Sequence, residues 1–517
     1  MKKASVYESL DEHVQATGGL DQATIDRLLP LTDAEPAKGE TSQDEQNVSE
    51  GKQLRDKLFA KWDSSWDRYG QEQLNTANEL AEEYKTFLDS AKTEREFVTR
   101  SIETLEARGF KDLATVDTLQ AGDKVYRNIA KKGLMAAVIG TEPATAGYNI
   151  IGAHIDSPRV DLKPNPLYEA GDMSFLKTHY YGGIKKYQWA TIPLALHGVV
   201  VRKDGTVVDI NIGEADEDPI FMFTDLLIHL SKDQLAKNAR EVITGEELNL
   251  LIGGRSYPDK DVSDRFKLAS LVLINELYGI DEKDLVSAEL EIVPAGRARD
   301  LGFDRSMIAA YGHDDRVCAY PALMAVADLE APERTGIVML SDKEEIGSTG
   351  LSGARSDAFS SFFSEIYAKQ NGSFDQIAYQ GKVLARSTML SADVTNGYDP
   401  TFASAVDSAN NAYMGRGMNL AKYTGHGGKS GASEASSEFY AAVIRLLEAN
   451  DIPWQTGEIG KVDQGGGGTI CLYAAELGMN VLDCGVPVLN MHAPMEIVHK
   501  LDLYSTYRAY QVFVEQM

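Results

Sequence analysis

The sequence predicts an α/β protein whose main sheet is mostly parallel and covered by helices, with a second, mostly β unit inserted into it. Short apolar runs rich in Ile, Val and Leu alternate with helix-like stretches, as expected for strands buried on both faces. Between about residues 165 and 302 the pattern changes to hairpin-like strands such as LALHGVVVRKDGTVVDINI, which contains an Asp-Gly turn. A chain of 517 residues is also too long for one hydrophobic core.

These patterns divide the chain into residues 1–52, 53–164, 165–302 and 303–517. Residues 1–32 resemble a partly helical extension, and residues 33–52 are polar and acidic, which predicts a linker. From residue 54 to 105 apolar side chains recur at helical spacing without a proline, which predicts two helices. The segments 53–164 and 303–517 would then form one α/β domain around the inserted β unit, 165–302.

The strand candidates of the α/β part are GYNIIGAHI, TGIVMLSD, KVLARSTMLSADV and MNVLDCGVPVL. In an open α/β sheet, ligands bind outside the carboxyl ends of the strands. Residues that follow these strands are therefore expected to converge on one crevice, although they are far apart in the sequence.

Composition excludes several classes of partner. The formal net charge is −27, and such a surface repels a nucleic-acid backbone. The apolar runs are shorter than the roughly 20 residues that cross a bilayer, and the N-terminus lacks the apolar core of a signal peptide. The three cysteines form no close-set pair, which fits a reducing compartment, so we expect a cytoplasmic protein without nucleic-acid or membrane partners.

The segments GAHIDSPR, GHDDRV, SDKEEIGSTG, LSADVTNG and NMHAPMEI carry the candidate chemistry. Each residue alone has an ordinary explanation: a chance His-x-Asp pair, two acids at a helix N-terminus, an acidic surface loop, or the first solvated residue after a strand. Together they place two imidazoles and several carboxylates after successive strands. The candidates are His154, Asp156, Asp314, Glu344, Glu345, Asp393 and His492.

This set has the composition of a site for two divalent metal ions. Asp314, Glu345 and Asp393 supply three negative charges, so two Zn²⁺ ions and one hydroxide leave the site neutral. One carboxylate must bridge the ions, because paired catalytic metals lie about 3.5–4 Å apart. Asp156 lies two residues from His154 on a strand and can orient its ring, and Glu344 can accept the proton of the attacking water.

The segment GHGGKS ends like a phosphate-binding loop, but Tyr423 stands where that motif needs a glycine. Lys429 is therefore either solvated or a cation that binds a substrate carboxylate. The run Gly465–Gly468 can line a substrate groove or form a surface loop.

The sequence resembles the aspartyl aminopeptidase family, the eighteenth family of metallopeptidases, and its bacterial branch in particular. The resemblance runs from about residue 91 to the end, through GAHIDSPRVDLKPNPLYE, YYGGIKKYQW, GHDDRVCAYPAL, SDKEEIGSTG, SADVTNGYDP and NMHAPMEIV. It implies a dizinc exopeptidase domain with an inserted dimerisation domain, and a homo-oligomer that can reach a dodecamer built from dimers.

The resemblance also implies residue roles. His154 and Asp393 would hold one ion, Glu345 and His492 the other, and Asp314 would bridge them. Glu344 would be the general base and Asp156 would orient His154. Members specific for acidic substrates have histidines where this chain has Asn396 and Asp225. The preferred N-terminal side chain is therefore open.

The predicted function is a metal-dependent aminopeptidase that uses two zinc ions, or Co²⁺ in their place, to remove the N-terminal residue of peptides. Two alternatives remain at this stage. A deacylase or carboxypeptidase could use the same metal arrangement, and a self-assembling scaffold could hold structural metals. The sequence does not determine the native metal, the subunit number or the role of residues 1–50.

Overall fold

The computed structural model describes residues 49–517, so the predicted extension and most of the predicted linker lie outside the described residues. The final residues of that linker already belong to a helix, Glu50–Leu58, which Ser49 caps by accepting a hydrogen bond from the Lys52 N–H. None of the helices between residues 49 and 517 combines the length and the apolar character that a bilayer crossing requires.

Residues 54–105 form more helical segments than the two predicted. Gly70 separates a single helical turn from the long helix Gln71–Asp89, and Thr93 starts the next helix with a capping box to Glu96. Periodicity alone does not show these breaks, because the apolar face continues across them. The helices of the described chain are Glu50–Leu58, Ser65–Arg68, Gln71–Asp89, Glu94–Glu106, Lys232–Leu235, Arg265–Tyr278, His313–Ala327, Asp357–Asn371, Gln376–Ala378, Ser437–Ala449, Cys471–Glu476 and Lys500–Gln516.

The main sheet has nine strands, and its four central strands run parallel, which confirms the predicted α/β class. The flanking strands pair in both directions, so the sheet is mixed at its edges. In spatial order the strands are Lys111–Asp112, Lys124–Ile129, Gly133–Val138, Thr335–Ser341, Tyr148–His154, Thr388–Ala392, Asn480–Gly485, Met418–Ala421 and Trp454–Thr456.

Both faces of this sheet are buried. One face packs under the helices Gln71–Asp89, His313–Ala327 and Lys500–Gln516, and the other under Asp357–Asn371 and Cys471–Glu476. Complete burial explains why the central strands are continuous apolar runs, since neither face needs polar side chains.

A second sheet of seven strands is almost entirely antiparallel and has its own hydrophobic core. In spatial order its strands are Val207–Ile212, Leu194–Val201, Glu289–Pro294, Arg159–Ala170, Met173–Tyr181, Asn249–Gly253 and Met222–Phe223. The predicted boundary at residue 165 falls inside the strand Arg159–Ala170, where the pairing register shifts between Leu162 and Leu167. The prolines of LKPNPL interrupt the pattern there, although the strand continues.

A third sheet, which the sequence did not indicate, has five short strands: Arg299–Leu301, Met307–Ala310, Glu496–His499, Pro487–Leu489 and Thr395–Asn396. The strand EIVH, residues 496–499, directly precedes the last helix. One segment prediction needs correction: the first half of KVLARSTMLSADV is helical, and the strand is limited to Thr388–Ala392. Short strands of a few residues carry too little periodicity to be distinguished from helix ends.

Candidate metal centre

His154 is the last residue of a central parallel strand, Tyr148–His154, and its side chain is buried. Its Nδ1 lies 3.0 Å from the carbonyl oxygen of Asp156 and 3.3 Å from the Asp156 carboxylate. A proton on Nδ1 satisfies both acceptors, and this leaves Nε2 free as a ligand atom. Nε2 points at the carboxylates of Asp314 and Asp393, at 3.2 and 3.7 Å.

Asp314 lies between the two predicted histidine ligands. Its Oδ1 is 3.2 Å from His154 Nε2, and its Oδ2 is 3.2 Å from His492 Nε2. One carboxylate therefore faces both imidazoles, as a bridging ligand would. The adjacent Asp315 has a different environment, because its Oδ2 accepts a hydrogen bond from the His154 backbone N–H at 3.4 Å.

Glu344 and Glu345 begin a short 3-10 turn that follows the strand Thr335–Ser341. Lys343, with φ +68°, turns the chain back towards the strand ends. The Asp156 carboxylate accepts hydrogen bonds from both backbone N–H groups, at 3.1 Å for Glu344 and 3.2 Å for Glu345. Glu345 Oε1 comes within 3.5 Å of His492 Nε2, and Glu344 Oε2 within 4.0 Å of His154 Nε2.

Asp393 follows the strand Thr388–Ala392, and its backbone N–H donates to the carbonyl of Cys484 on the neighbouring strand. His492 lies in the loop before the strand Glu496–His499, with φ +64°. Its Nδ1 is 2.8 Å from the carbonyl oxygen of Gly183, so its Nε2, like that of His154, faces the carboxylates. The structure thus brings the seven candidate residues to one crevice, and their individual roles stay predictions.

The charges in this crevice are predominantly negative and buried. Burial raises the pKa of Glu344 to about 8, and the nearby Asp393 and Asp156 carboxylates add to this effect while His154 opposes it. Burial and the Asp314 carboxylate also raise the pKa of Glu345 well above its usual range. Burial alone would lower the pKa of His492, but the acids Asp314 and Glu345 overcome it and raise that pKa to about 10.

The donor set fits divalent zinc. Asp314 Oδ1 and Glu345 Oε1 are buried and receive no well-formed hydrogen bond from residues 49–517. Three overlapping groups of residues each bring their ligand atoms within 4.8 Å of one another. The groups are His154, Asp315 and Asp393; His154, Glu344 and Glu345; and Asp314, Glu345 and His492. Imidazole nitrogen with carboxylate oxygen is a ligand combination that Zn²⁺ accepts in catalytic sites.

A cavity of about 670 Å³ is lined by five of the candidate residues, Asp314, Glu344, Glu345, Asp393 and His492. Two glycine-rich loops line it, and they contact each other through a hydrogen bond from Gly425 N–H to the Gly467 carbonyl at 2.7 Å. Gly466 has φ +91°, and a Cβ there would lie 1.9 Å from the Gly425 carbonyl oxygen, so only glycine permits this contact. Lys429 lies on the same wall, 3.2 Å from Glu434 and stacked on the Tyr423 ring.

Sequence reasoning assigned no role to two buried residues beside the candidate ligands. Tyr181 donates its hydroxyl to the Asp156 carboxylate at 2.8 Å. Glu496 accepts hydrogen bonds from the backbone N–H groups of Asp314 and His492. Both lie in blocks that carry the family resemblance, YYGGIKKYQW and NMHAPMEIV. Their location in these blocks is the sequence signal that could have indicated a role at the site.

Comparisons with known proteins identify similar sequences and similar folds. Residues 87–514 match the family model described as aminopeptidase I zinc metalloprotease (M18). A probable M18 family aminopeptidase 1 from Clostridium acetobutylicum is 49% identical over 461 residues, covering 88% of this chain and 99% of that protein.

Solved structures show the same relationship. The crystal structure of an M18 family aminopeptidase from Thermotoga maritima superimposes with a TM-score of 0.85 at 39% identity, covering 89% of this chain and 100% of that one. The S. cerevisiae mApe1 dodecamer has a TM-score of 0.68 at 21% identity, over 86% of this chain and 97% of that one, and shares the fold. The chain therefore belongs to the M18 family of aminopeptidase I zinc metalloproteases.

Proposed function

We propose that the crevice at the strand ends removes the N-terminal residue of peptides, with His154 and Asp393 holding one zinc ion, Glu345 and His492 the other, and Asp314 between them. The observation that supports this assignment most strongly is the Asp314 carboxylate, which faces both histidine Nε2 atoms at 3.2 Å. When bound, two zinc ions supply a Lewis acid for the scissile carbonyl and lower the pKa of the attacking water.

Glu344 is the proposed general base. Its carboxylate is beside the candidate ligands but further from His154 than Asp314 and Asp393 are, so it is free to take a proton from the attacking water. The same carboxyl group then donates that proton to the departing amine, which leaves as the shortened peptide. The single carboxylate of Asp156 contacts both the Glu344–Glu345 turn and the His154 ring and so fixes their relative positions.

Lys429 is the proposed contact for a substrate carboxylate. Its ammonium group lies on the cavity wall, and its pairing with Glu434 is half-exposed, which permits exchange for a substrate group at little cost. Lys429→Met should raise KM for peptides without altering the turnover of a substrate that has no carboxylate.

The inserted β unit is proposed to mediate self-association, in dimers that can assemble further to a dodecamer. It exposes a group of large apolar side chains, which are Ile220, Leu226, Leu227, Ile228, Leu230 and Leu235. The side chains of Ile228 and Leu230 are 69% and 66% exposed. An apolar patch of this kind is typical of a protein–protein interface. Light scattering should give a multiple of the chain mass, and the double variant I228E/L230E should reduce it; a monomeric wild type would contradict the proposal.

We also propose a cytoplasmic location, since Cys318, Cys471 and Cys484 are free and buried, as expected in a reducing compartment. Fractionation of the native cells, with detection of the full chain, tests this location directly.

The test of the reaction uses paired substrates. Aminoacyl chromogenic substrates with Asp, Glu, Leu, Lys or Ala should be hydrolysed when the amine is free and left intact when it is acetylated, and the panel also gives the preferred side chain. Hydrolysis of the acetylated series would instead identify a deacylase. Wild-type activity that survives dialysis against a chelator would contradict the metal-dependent mechanism. Wild-type turnover no higher than that of Glu344→Gln would also contradict it and would favour a scaffold.

A further inference from the structure

Glu496 joins two segments that approach the crevice from different directions. Its Oε1 accepts a hydrogen bond from the His492 backbone N–H at 2.7 Å, and its Oε2 accepts one from the Asp314 backbone N–H at 3.0 Å. The residue is 1% exposed, and it begins the strand Glu496–His499, which pairs with Met307–Ala310 just before Asp314.

Both partners of Glu496 depend on a defined backbone position. His492 adopts φ +64°, a left-handed conformation that side-chain-bearing residues seldom hold without external support. Asp314 has non-helical backbone angles although it lies in the first turn of the helix His313–Ala327. Each N–H therefore lacks a regular helical or sheet acceptor, and the Glu496 carboxylate satisfies both.

We infer that Glu496 is a positioning residue that couples the bridging aspartate to the histidine of one metal position through their backbones. This inference rests on the proposed ligand set. Glu496 holds His492 as well as the bridging Asp314, and it makes no hydrogen bond to His154 or Asp393. Its loss should therefore weaken the metal position that contains His492 more than the other. Groups that orient metal ligands typically contribute about 10- to 100-fold in metal affinity or activity.

The experiment measures zinc binding by the full chain, in competition with a chromophoric chelator, so that two binding steps are resolved. In Glu496→Gln the amide oxygen can accept one N–H, while its NH₂ group faces the other and repels it. One step should weaken by about 10- to 100-fold and the other by much less. His492→Ala identifies the step that belongs to the His492 position.

The fold offers a matched control. Asp502 is also a fully buried carboxylate, and it accepts two backbone N–H bonds, from Gly415 and Gly417, each at 2.7 Å, outside the crevice. Asp502→Asn should lower thermal stability and leave both zinc steps unchanged. If it weakened zinc binding as much as Glu496→Gln does, Glu496 would be a general structural residue and the inference would be overturned.

The remaining outcomes separate the inference from the function on which it rests. If His492→Ala removes one step and Glu496→Gln changes neither, only the role of Glu496 fails. If His492→Ala leaves both steps intact, the proposed ligand set fails and the inference fails with it. Should Glu496→Gln not fold, Glu496→Asp decides by the same criterion, because its shorter carboxylate reaches only one of the two N–H groups.

Discussion

Tyr181 donates its phenolic hydroxyl to the Asp156 carboxylate at 2.8 Å, and through this bond the antiparallel sheet contacts the candidate metal centre. Tyr181 ends the strand Met173–Tyr181, and the Arg159 guanidinium lies over its ring at 3.9 Å. Arg159 in turn is 3.0 Å from Glu291 on the next strand. The second sheet therefore supports Asp156, the residue proposed to orient His154.

Removing this hydroxyl tests the support. Tyr181→Phe should lower kcat about 10-fold or more with little change in KM, because a hydrogen bond to a charged group contributes about 1.5–3 kcal/mol. Steady-state kinetics with a free aminoacyl substrate gives the values. Tyr180→Phe, at the exposed neighbouring position, is the control and should behave as wild type.

Substitution of the proposed base separates chemistry from metal binding. Glu344→Gln should retain both zinc ions and lose about two to four orders of magnitude in kcat, the range typical of a lost general base. Metal content measured by atomic emission and single-turnover kinetics give the two readouts. The surface variant Glu330→Gln should change neither, and a Glu344→Gln protein with normal kcat would remove Glu344 from the mechanism.

The proposed orienting carboxylate, that of Asp156, should affect metal affinity. Asp156→Asn retains the shape but loses charge and one acceptor beside His154 and the Glu344–Glu345 turn. We expect zinc affinity to fall about 10- to 100-fold, as for other groups that orient metal-binding histidines. Chelator competition measures it; wild-type affinity would show that the Asp156 carbonyl, also 3.0 Å from Nδ1, is sufficient.

Metal removal should destabilise the fold. A ligand that binds only the folded chain adds about 2.7 kcal/mol at a concentration 100 times its Kd. The clustered carboxylates of Asp314, Glu344, Glu345 and Asp393 also repel each other less when cations lie between them. Calorimetry should therefore give a lower Tm after chelation and full recovery with Zn²⁺. An unchanged Tm would contradict metal binding by these buried residues.

Deprotonation of His197 should lower the stability of the folded protein as the pH rises. Burial disfavours its charged form, but hydrogen bonds to Glu214 and Glu96, at 3.1 and 2.8 Å, more than offset this and raise its pKa. A raised histidine pKa stabilises the fold fully below the unfolded value of about 6.5, and this contribution is lost as pH rises through the folded pKa.

Comparison of two variants isolates that effect. The difference in the free energy of unfolding between wild type and His197→Gln should be largest near pH 6 and smaller near pH 9, as measured with urea. The exposed His179→Gln is the control. A difference that is constant across this range would mean that folding does not shift the pKa of His197.

The sequence by itself determined the α/β class and the set of candidate ligands. Long buried strands such as Tyr148–His154 and Thr335–Ser341 are continuous apolar runs, and parallel strands end at a common edge. His154 ends such a strand, and Glu344 and Asp393 follow one, so strand assignment alone predicts that they meet. Short strands such as Glu496–His499 were missed, since a few residues carry no usable period.

Only the tertiary structure decided which residues support that set. Glu496 reaches the backbone of Asp314 across 182 positions, and Tyr181 reaches Asp156 across 25, from a different sheet. A hydrogen bond of this kind depends on how sheets and loops pack, and it leaves no spacing or periodicity in the chain. Residue types and strand ends thus predicted the chemistry of the site, while the packing of three sheets fixed the geometry that holds it.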